Sequence, residues 1–505
     1  MNGEGVRPAG AGRLHALIAL VILTGMTIRL LFFNAVTIDT EYFVLPWFDQ
    51  IIEQGVHALG QDLPDAGGDI GGNYSPPYYY LLYLASLLHD FAPPLWLIKL
   101  VSISFDLLGA FFAYKITRLY FSSNRALLAA ALVLIAPTAI IDSAWWGQSD
   151  MIWTSILLGS LYFALARKPL WSLVLFGLAL SFKAQAFFFA PFLFMLFVRG
   201  ELGWWRPAAA PLAYAVMMFP AVAFGQTWLN VSTVYLRQAE RYDRLSMHGP
   251  NLYYFAPDDL YTIGVAVGLV VTAVVAFALA ILPRLRNIKM EARVYVLAAT
   301  MFLALAPFLL PKMHDRYFFS ADVMAIVLAI FIPRLWLVPV VLQISSLSAY
   351  VPMITYGLFG TIMSPTMPMA VMLNTILVAY LVYEYCRVCV RPNVEIGANV
   401  KLLAIGAAAV ILASVTWMAT AIVRDQLHAR LCPSSGALDA MLCRQDMPLD
   451  IALYGTWVHW LCFFALLAGA LFIARTLVNW AWTWPWNAWI DRVRAALALP
   501  ARAPA

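Results

Sequence analysis

The chain has 505 residues, of which 63% are hydrophobic and only 12% are charged. A soluble domain carries about 25% charged residues to keep its surface in water, so much of this protein's surface must face lipid. The formal net charge of +5 is small and no long basic run interleaved with aromatic residues accompanies it, which argues against a nucleic-acid-binding protein.

Apolar stretches of roughly 20 residues, ended by charged residues, recur along the chain and predict an all-α polytopic membrane protein with about 11–14 transmembrane helices. We place the spans at 13–33, 96–118, 125–141, 150–166, 170–184, 185–199, 207–226, 260–283, 293–310, 318–333, 335–350, 366–386, 401–423 and 452–474. The first is interpreted as an uncleaved helix, because charged residues rather than a small-residue cleavage site follow it.

The distribution of Lys and Arg predicts the orientation of these spans, since cytoplasmic loops are enriched in both. It favours two short spans over residues 171–198, with Lys183 between them near the outer boundary, and cytoplasmic N- and C-termini. Five polar segments then lie on the outer side: 34–94, 142–150, 183–185, 226–259 and 312–322. We therefore expect any chemistry to take place there.

The first outer loop begins with two acids, Asp39 and Glu41, where the first helix leaves the membrane. Each of these acids fits two roles: the cap of a surface helix, or a general base at the lipid–water boundary. The amphipathic stretch that follows, residues 45–52, suits a helix lying in the interface. The motif Asn73–Tyr80 combines a turn with aromatic anchors and needs no chemistry to explain it.

The second outer turn carries Asp142 and Asp150 around Trp145 and Trp146. The two tryptophans fit an interfacial belt. Acids in a short re-entry between spans are costly when exposed to lipid, so we expect both aspartates to face a wet cavity unless they are simply solvated loop residues.

Three groups of cations follow on the same side. Lys183 is flanked by Leu180 and Phe182 and costs roughly 2.5–3.5 kcal/mol at a helix centre, so it either reaches the surface or binds a lipid phosphate. Three arginines at i, i+4 and i+7 would share one helix face and suit phosphate oxygens or anionic headgroups: Arg237, Arg241 and Arg244. The segment 312–316 packs four ionisable side chains between two apolar spans and is the strongest local signal in the chain.

Carboxylates facing several cations at an outer membrane interface fit a polyprenyl-phosphate sugar. Its tail lies in the bilayer, its phosphate needs cations, and its sugar reaches the loops. The phosphate leaves as a stable anion, so one base that deprotonates the acceptor hydroxyl would suffice. The sequence contains no metal-ligand spacing and no nucleotide-binding glycine loop, so we predict neither a metal nor a cofactor. Cys432 and Cys443 bracket an outer loop and predict a disulfide, whereas Cys386 and Cys389 are interpreted as ordinary buried thiols.

The sequence resembles the GT-C glycosyltransferases, in particular the dolichyl-phosphate-glucose-dependent glucosyltransferases of N-glycan assembly and bacterial mannosyltransferase-like membrane proteins. The likeness covers roughly residues 25–330 and runs in order through six segments: Asp39–Trp47, Asn73–Tyr80, Ile141–Asp150, Phe182–Gln185, Arg237–Phe255 and Lys312–Tyr317. It implies a GT-C fold with interfacial helices in the first and fourth outer loops. Residues 1–334 would then form the catalytic module, with first outer loop 34–94, and residues 335–505 a variable C-terminal membrane module.

The resemblance also implies an inverting hexose transfer to a lipid-linked or polysaccharide acceptor on the extracytoplasmic face, in a bacterial inner membrane. It makes Asp39 the base, with Glu41 as a rival. The donor phosphate is expected to contact Lys183, Arg237, Lys312, His314 and Arg316. The sugar or acceptor is expected to contact Gln148, Asp150, Gln185, Tyr242, Asn251 and Asp315. Two alternatives remain open: an O-antigen-type polymerase or ligase with a pyrophosphate-linked donor, and a lipid or sugar transporter.

Overall fold

The computed structural model describes residues 10–69, 74–354, 366–391 and 394–431, and these are overwhelmingly helical. The predicted all-α membrane fold class is confirmed. The α-helices are α1 Gly10–Leu30, α2 Leu45–Gln54, α3 Pro76–Ser86, α4 Pro94–Arg118, α5 Ser123–Leu134, α6 Pro137–Ile140, α7 Asp150–Leu165, α8 Pro169–Phe182, α9 Ala190–Val198, α10 Ala209–Ala223, α11 Trp228–Glu240, α12 Tyr261–Leu285, α13 Ala292–Leu309, α14 Phe319–Phe331, α15 Leu337–Ile354, α16 Thr366–Val390 and α17 Val400–Leu431.

Within the described residues, four helices are long and apolar enough to cross a membrane: α4, α12, α13 and α16. The number rises to six if two bent pairs each count as one span. One pair bends by 49° between α5 and the segment that begins at Pro137, and the other by 111° between α10 and α11. Six further apolar helices are shorter, including α7, α8 and α14. The exact number of spans, and the division at residue 334, stay predictions.

The core of the protein lies around α7, α13 and α14, and almost all side chains of these three helices are buried. These helices are apolar around their whole circumference, and a helix of that kind is stable only inside a larger helical body or in lipid. The C-terminal helices α15 and α16 pack on this core, where Asn374 donates to the Pro250 carbonyl and Ser346 to Asp322. The site described below is therefore carried by a closely packed scaffold.

Irregular segments at the ends of these helices present the polar residues. A π-helix over Thr40–Val44 joins the end of α1 to α2, and a second over Ile141–Trp146 leads into Gly147. Gly147 has φ +73°, a left-handed backbone conformation that residues other than glycine rarely adopt. π-helical turns occur often at functional sites because they redirect side chains from the helical period.

Of two sequence predictions about α2 and α11, the first is confirmed and the second is wrong. The amphipathic stretch at residues 45–52 forms α2, with Trp47, Phe48 and Ile51 on its buried face. The three arginines from Arg237 to Arg244 do not share a helix face, because α11 ends at Glu240. The predicted span 452–474 and the predicted disulfide Cys432–Cys443 lie outside the described residues.

Candidate active site

A polar cavity of about 240 Å³ lies where the first loop, the turn after Gly147, the end of α8, the end of α11 and the loop before α14 meet. Its charged or strongly polar lining residues are Asp39, Tyr74, Gln148, Lys183, Gln185, Gln238, Arg241, Tyr242, His314, Asp315, Arg316 and Tyr317. These residues come from segments separated by up to 277 positions in the chain. The tertiary fold thus brings residues of all six motif segments into one cavity.

Asp39 has one oxygen engaged and one open. Its Oδ2 accepts hydrogen bonds from Trp146 Nε1 at 3.0 Å, from Gln148 Nε2 at 2.7 Å and from Arg316 Nη1 at 3.3 Å. Its Oδ1 accepts none from the described part of the chain. Three donors on one oxygen fix the plane of the carboxylate, while Oδ1 is left to accept a proton.

The two turns that meet at Asp39 are tied together by threonine hydroxyls. Thr40 Oγ1 donates to the Trp146 carbonyl at 2.7 Å, and Thr37 Oγ1 lies 2.9 Å from Thr40 Oγ1. Trp146 and Gln148, which both bond Asp39, flank the left-handed Gly147. The left-handed turn at Gly147 is what allows both side chains to reach the same carboxylate oxygen.

Arg316 lies between two carboxylates. Its Nη1 bonds Asp39, and its Nε lies 3.2 Å from Asp150 Oδ2. Asp150 is fully buried and also accepts from Lys183 Nζ at 2.8 Å. Charges removed from water are tolerated when they are paired with opposite charges, and Asp150 pairs with two cations at once. The anion that Lys183 was predicted to need is therefore supplied within the protein.

The pKa values of the two residues before Arg316 are shifted in opposite directions. Burial, followed by the charges of Arg316, Lys183 and His248, lowers the pKa of His314 to about 3. Burial raises the pKa of Asp315 to about 7, although Arg316 opposes the effect. His314 is thus neutral near pH 7 and can contact a phosphate only as a hydrogen-bond donor, not as a cation.

Arg241 lines the cavity, although the sequence pattern predicts it only as one of the three arginines Arg237, Arg241 and Arg244. Its guanidinium pairs with Asp65 at 3.3 Å and Asp69 at 3.2 Å, and its Nε donates to the Tyr242 hydroxyl. Its Nη1 is buried and has no hydrogen-bond partner among the described residues. Burying a guanidinium N–H without a partner is costly, which makes Nη1 a candidate donor to a bound anion.

Five residues with predicted site roles do not line this cavity, and one of them is Asp150, which is buried behind Lys183 and Arg316 instead of facing a sugar or acceptor. Glu41 is exposed on the π-helix after Asp39 and lies outside the cavity lining. Arg237 faces a separate surface depression, where it pairs with Asp62 at 3.6 Å. Lys312 Nζ donates to the Tyr242 carbonyl and to the Tyr261 hydroxyl. Asn251 is fully buried and donates to the Leu310 carbonyl at 2.8 Å.

Lys312 and Asn251 therefore hold loops in place. Lys312 N also donates to the Leu245 carbonyl at 2.7 Å, next to the two-residue parallel pair of β1 Ser246–Met247 with β2 Met313–His314. This pair joins the loop after α11 to the loop that carries Arg316. Both side chains bond protein groups, and neither lines the cavity. The sequence resemblance predicts Lys312 at the donor phosphate and Asn251 at the sugar or acceptor, and the structure places neither there.

Three aromatic or acidic residues differ from their sequence interpretation. Tyr74, read as an interface anchor, lines the cavity and donates to Gln148 Oε1 at 2.9 Å. Trp146, read as part of an interfacial belt, is buried and bonds Asp39. Asp142 does not face a wet cavity: it is fully buried, and neither of its oxygens has a hydrogen-bond partner in the described residues. Pattern alone cannot separate a lipid-facing tryptophan from one facing a buried carboxylate.

No group of three or more His, Cys, Asp or Glu side chains in the described ranges is arranged to hold a metal ion. Cys386 and Cys389 are buried free thiols on α16, as expected for ordinary core residues. The roles assigned to the individual cavity residues stay predictions.

Comparisons with known proteins add a fold likeness and little else. No family model matches the sequence, and no curated protein matches it. Among solved structures, ArnT from Cupriavidus metallidurans bound to undecaprenyl phosphate is similar, with a TM-score of 0.46 and 15% sequence identity over 91% of this chain and 77% of that chain. A similarity of this size does not establish a function, which has to be argued from the cavity residues themselves.

Proposed function

We propose that the protein is an inverting glycosyltransferase of the GT-C type, which moves a hexose from a polyprenyl-phosphate-sugar donor to a lipid-linked or polysaccharide acceptor on the extracytoplasmic face of a bacterial inner membrane. The observation that carries the proposal is the state of Asp39. One oxygen of this carboxylate accepts hydrogen bonds from three donors, and the other is open at the wall of a cavity lined by several cationic side chains.

The transfer is a single displacement. Asp39 Oδ1 takes the proton of the acceptor hydroxyl as the acceptor oxygen bonds to the anomeric carbon of the sugar. The bond between that carbon and the phosphate oxygen breaks, and the electron pair leaves with the phosphate. Attack opposite the leaving group inverts the anomeric centre, and no metal or cofactor is needed.

The developing charge on the phosphate would be stabilised by other residues that line the cavity. Arg241 offers its unpartnered Nη1, and neutral His314 offers a ring N–H. Arg316 and Lys183 add positive potential, although Asp150 neutralises part of it. Such fixed donors are effective because they need no reorganisation when the charge appears. We assign Gln148, Gln185, Tyr242 and Asp315 to the sugar or the acceptor.

An apolar groove beside the cavity fits the donor's isoprenoid tail. Its volume is about 940 Å³, and it is lined almost entirely by Leu, Phe, Ala, Pro and Trp side chains of α8, α9, α10 and the intervening segments. The two spaces share one stretch of chain: Phe182, Lys183 and Gln185 line the polar cavity, whereas Leu180 and Phe187 line the groove. A molecule with a polar head and an apolar tail would fill both.

The test is transfer from a panel of synthetic polyprenyl-phosphate sugars by purified protein in detergent, with crude lipid acceptors. We expect turnover by the wild type and loss of about 10²–10⁴-fold in Asp39→Asn, the range typical of a general base, with donor binding intact. Glu41→Gln is the matched control, and it should retain activity because Glu41 is outside the cavity. Wild-type protein that binds none of the monophosphate donors would favour the polymerase, ligase or transporter alternatives instead.

A further inference from the structure

A buried ion pair connects α1 to α4 away from the cavity. Arg29, in the last turn of α1, donates from Nε to Asp106 Oδ2 at 2.7 Å, and neither side chain is more than 1% exposed. Arg29 Nη1 also donates to the Leu134 carbonyl at the end of α5, at 2.7 Å. Neither Arg29 nor Asp106 lines the polar cavity, and the proposed reaction uses neither.

The same aspartate reaches the π-helix that carries one of the donors to Asp39. Ser143 Oγ donates to Asp106 Oδ2 at 2.5 Å. Ser143 lies three residues before Trp146, whose indole bonds Asp39, and both belong to the segment Ile141–Trp146. Asp106 thus bonds the helix that leads to Asp39 and the segment that orients it.

A lysine on the same side of α4 fixes the end of α1. Lys99 precedes Asp106 by seven residues, which places the two on one helix face. It is completely buried, and its Nζ donates to the carbonyls of Phe32 and Ala35 at 2.6 Å each. Ala35 is four residues before Asp39, so this face of α4 holds the segment that leads to the carboxylate.

Stability alone does not account for such a network. Desolvating an ion pair costs several kcal/mol per ion, and replacing a buried pair by apolar side chains of similar size is often neutral or stabilising. We propose that Arg29, Asp106 and Ser143 are positioning residues, which set the distance between Asp39 Oδ1 and the acceptor hydroxyl by anchoring α1 and the segment Ile141–Trp146 to the same carboxylate. The inference rests on the proposed function, because it assigns these residues to the same reaction.

Ser143→Ala gives the cleanest test, since it cuts the link to the π-helix and leaves the ion pair in place. We expect kcat to fall about tenfold, because sub-ångström to ångström displacements of a reacting group are costly. KM for the donor should stay within roughly twofold, because Arg241 and His314 are untouched. Ser155→Ala is the matched control: Ser155 is also a fully buried serine, but its hydroxyl bonds only the Ile152 carbonyl of its own helix.

The double variant Arg29→Met with Asp106→Leu removes the charges together. It should remain folded, with a thermal midpoint in detergent close to that of the wild type, and should show the same selective loss of kcat. Wild-type kcat in Ser143→Ala would overturn the inference, and so would an equal loss of kcat in Ser155→Ala. Wild-type protein without turnover on any donor refutes the proposed function, whereas active wild type with unimpaired Ser143→Ala refutes only the positioning role.

Discussion

Arg316 Nη1 lies 3.3 Å from Asp39 Oδ2, although the two residues are 277 positions apart in the chain. The same guanidinium places its Nε 3.2 Å from Asp150. Arg316 therefore links the open carboxylate to the fully buried one and fixes the loop before α14 against the segment that follows α1. An arginine is suited to this position because its planar fork presents several donors in fixed directions, which an ammonium group does not.

Arg316→Lys is therefore expected to be a severe change despite the conserved charge. A lysine can approach one carboxylate but cannot hold Asp39 and Asp150 in the same geometry, so kcat should fall by about 10²-fold. Arg244→Lys, at an exposed position, is the control and should be neutral. Steady-state transfer rates decide the matter, and a lysine variant with wild-type kcat would show that Arg316 contributes charge only.

Arg241 and Arg237 provide a matched pair four residues apart, one beyond the end of α11 and one in its last turn. Arg241→Gln removes the guanidinium that lines the cavity, and KM for the donor should rise about tenfold, the effect of losing one good interaction with a charged group. Arg237→Gln should change KM little, because Arg237 pairs with Asp62 outside the cavity. Donor titrations of the two variants test this, and the opposite order of effects would restore the role that the sequence predicted for Arg237.

Asp150 and Lys183 should differ in their effect on stability. Lys183→Met leaves Asp150 paired with Arg316, whereas Asp150→Leu deprives two buried cations of their partner. Breaking a buried pair costs about 3–5 kcal/mol, so Asp150→Leu should lower the thermal midpoint in detergent more than Lys183→Met does. Asp90→Asn, which removes an exposed partner of His89, should leave the midpoint unchanged. Equal midpoints for Asp150→Leu and the wild type would contradict the paired arrangement.

His314 and Asp315 should give opposing pH dependences of stability. The pKa of His314 is lowered to about 3 in the folded protein, so the unfolded chain binds more protons below its ordinary pKa of 6.5, and this contribution to stability is lost as the pH falls. The pKa of Asp315 is raised from 3.8 to about 7, so the folded protein binds more protons, and stability is lost as the pH rises from 4 to about 7.

Because the two effects oppose each other between about pH 4 and 6.5, single variants should separate them. Asp315→Asn should leave a thermal midpoint that falls as the pH is lowered from 7 to 5. His314→Gln should leave one that falls as the pH is raised from 5 to 7. Midpoints measured in one detergent across this range test both, and parallel slopes in the two variants would show that other groups control the titration.

Several features of the site follow from the sequence because they depend on local chemistry. A lysine among phenylalanines needs an anion wherever the fold places it, and Lys183 does have one. Its partner was not predictable, since a lipid phosphate and Asp150 satisfy the same charge. A continuous helix would place Arg237 and Arg241 on the same face, so the sequence cannot distinguish them. Because α11 ends at Glu240, their side chains point to different places, and only Arg241 lines the cavity. Trp146 and Tyr74 were assigned to the membrane interface because an aromatic side chain with a polar tip fits both a headgroup region and a buried carboxylate cluster.

The sequence by itself determined the all-helical membrane class and the segments that carry polar chemistry, because long apolar stretches and isolated charges have few physical solutions in a bilayer. It also indicated the segment 312–316 and the acids of the first loop, Asp39 with Glu41 as its rival. Only the tertiary structure decided which charges pair with one another, which oxygen of Asp39 is open, and that one face of α4 anchors both segments that meet there. These depend on distances between groups far apart in the chain, and hydrophobic patterning constrains which face of a helix is buried but not which residue from another helix lies against it.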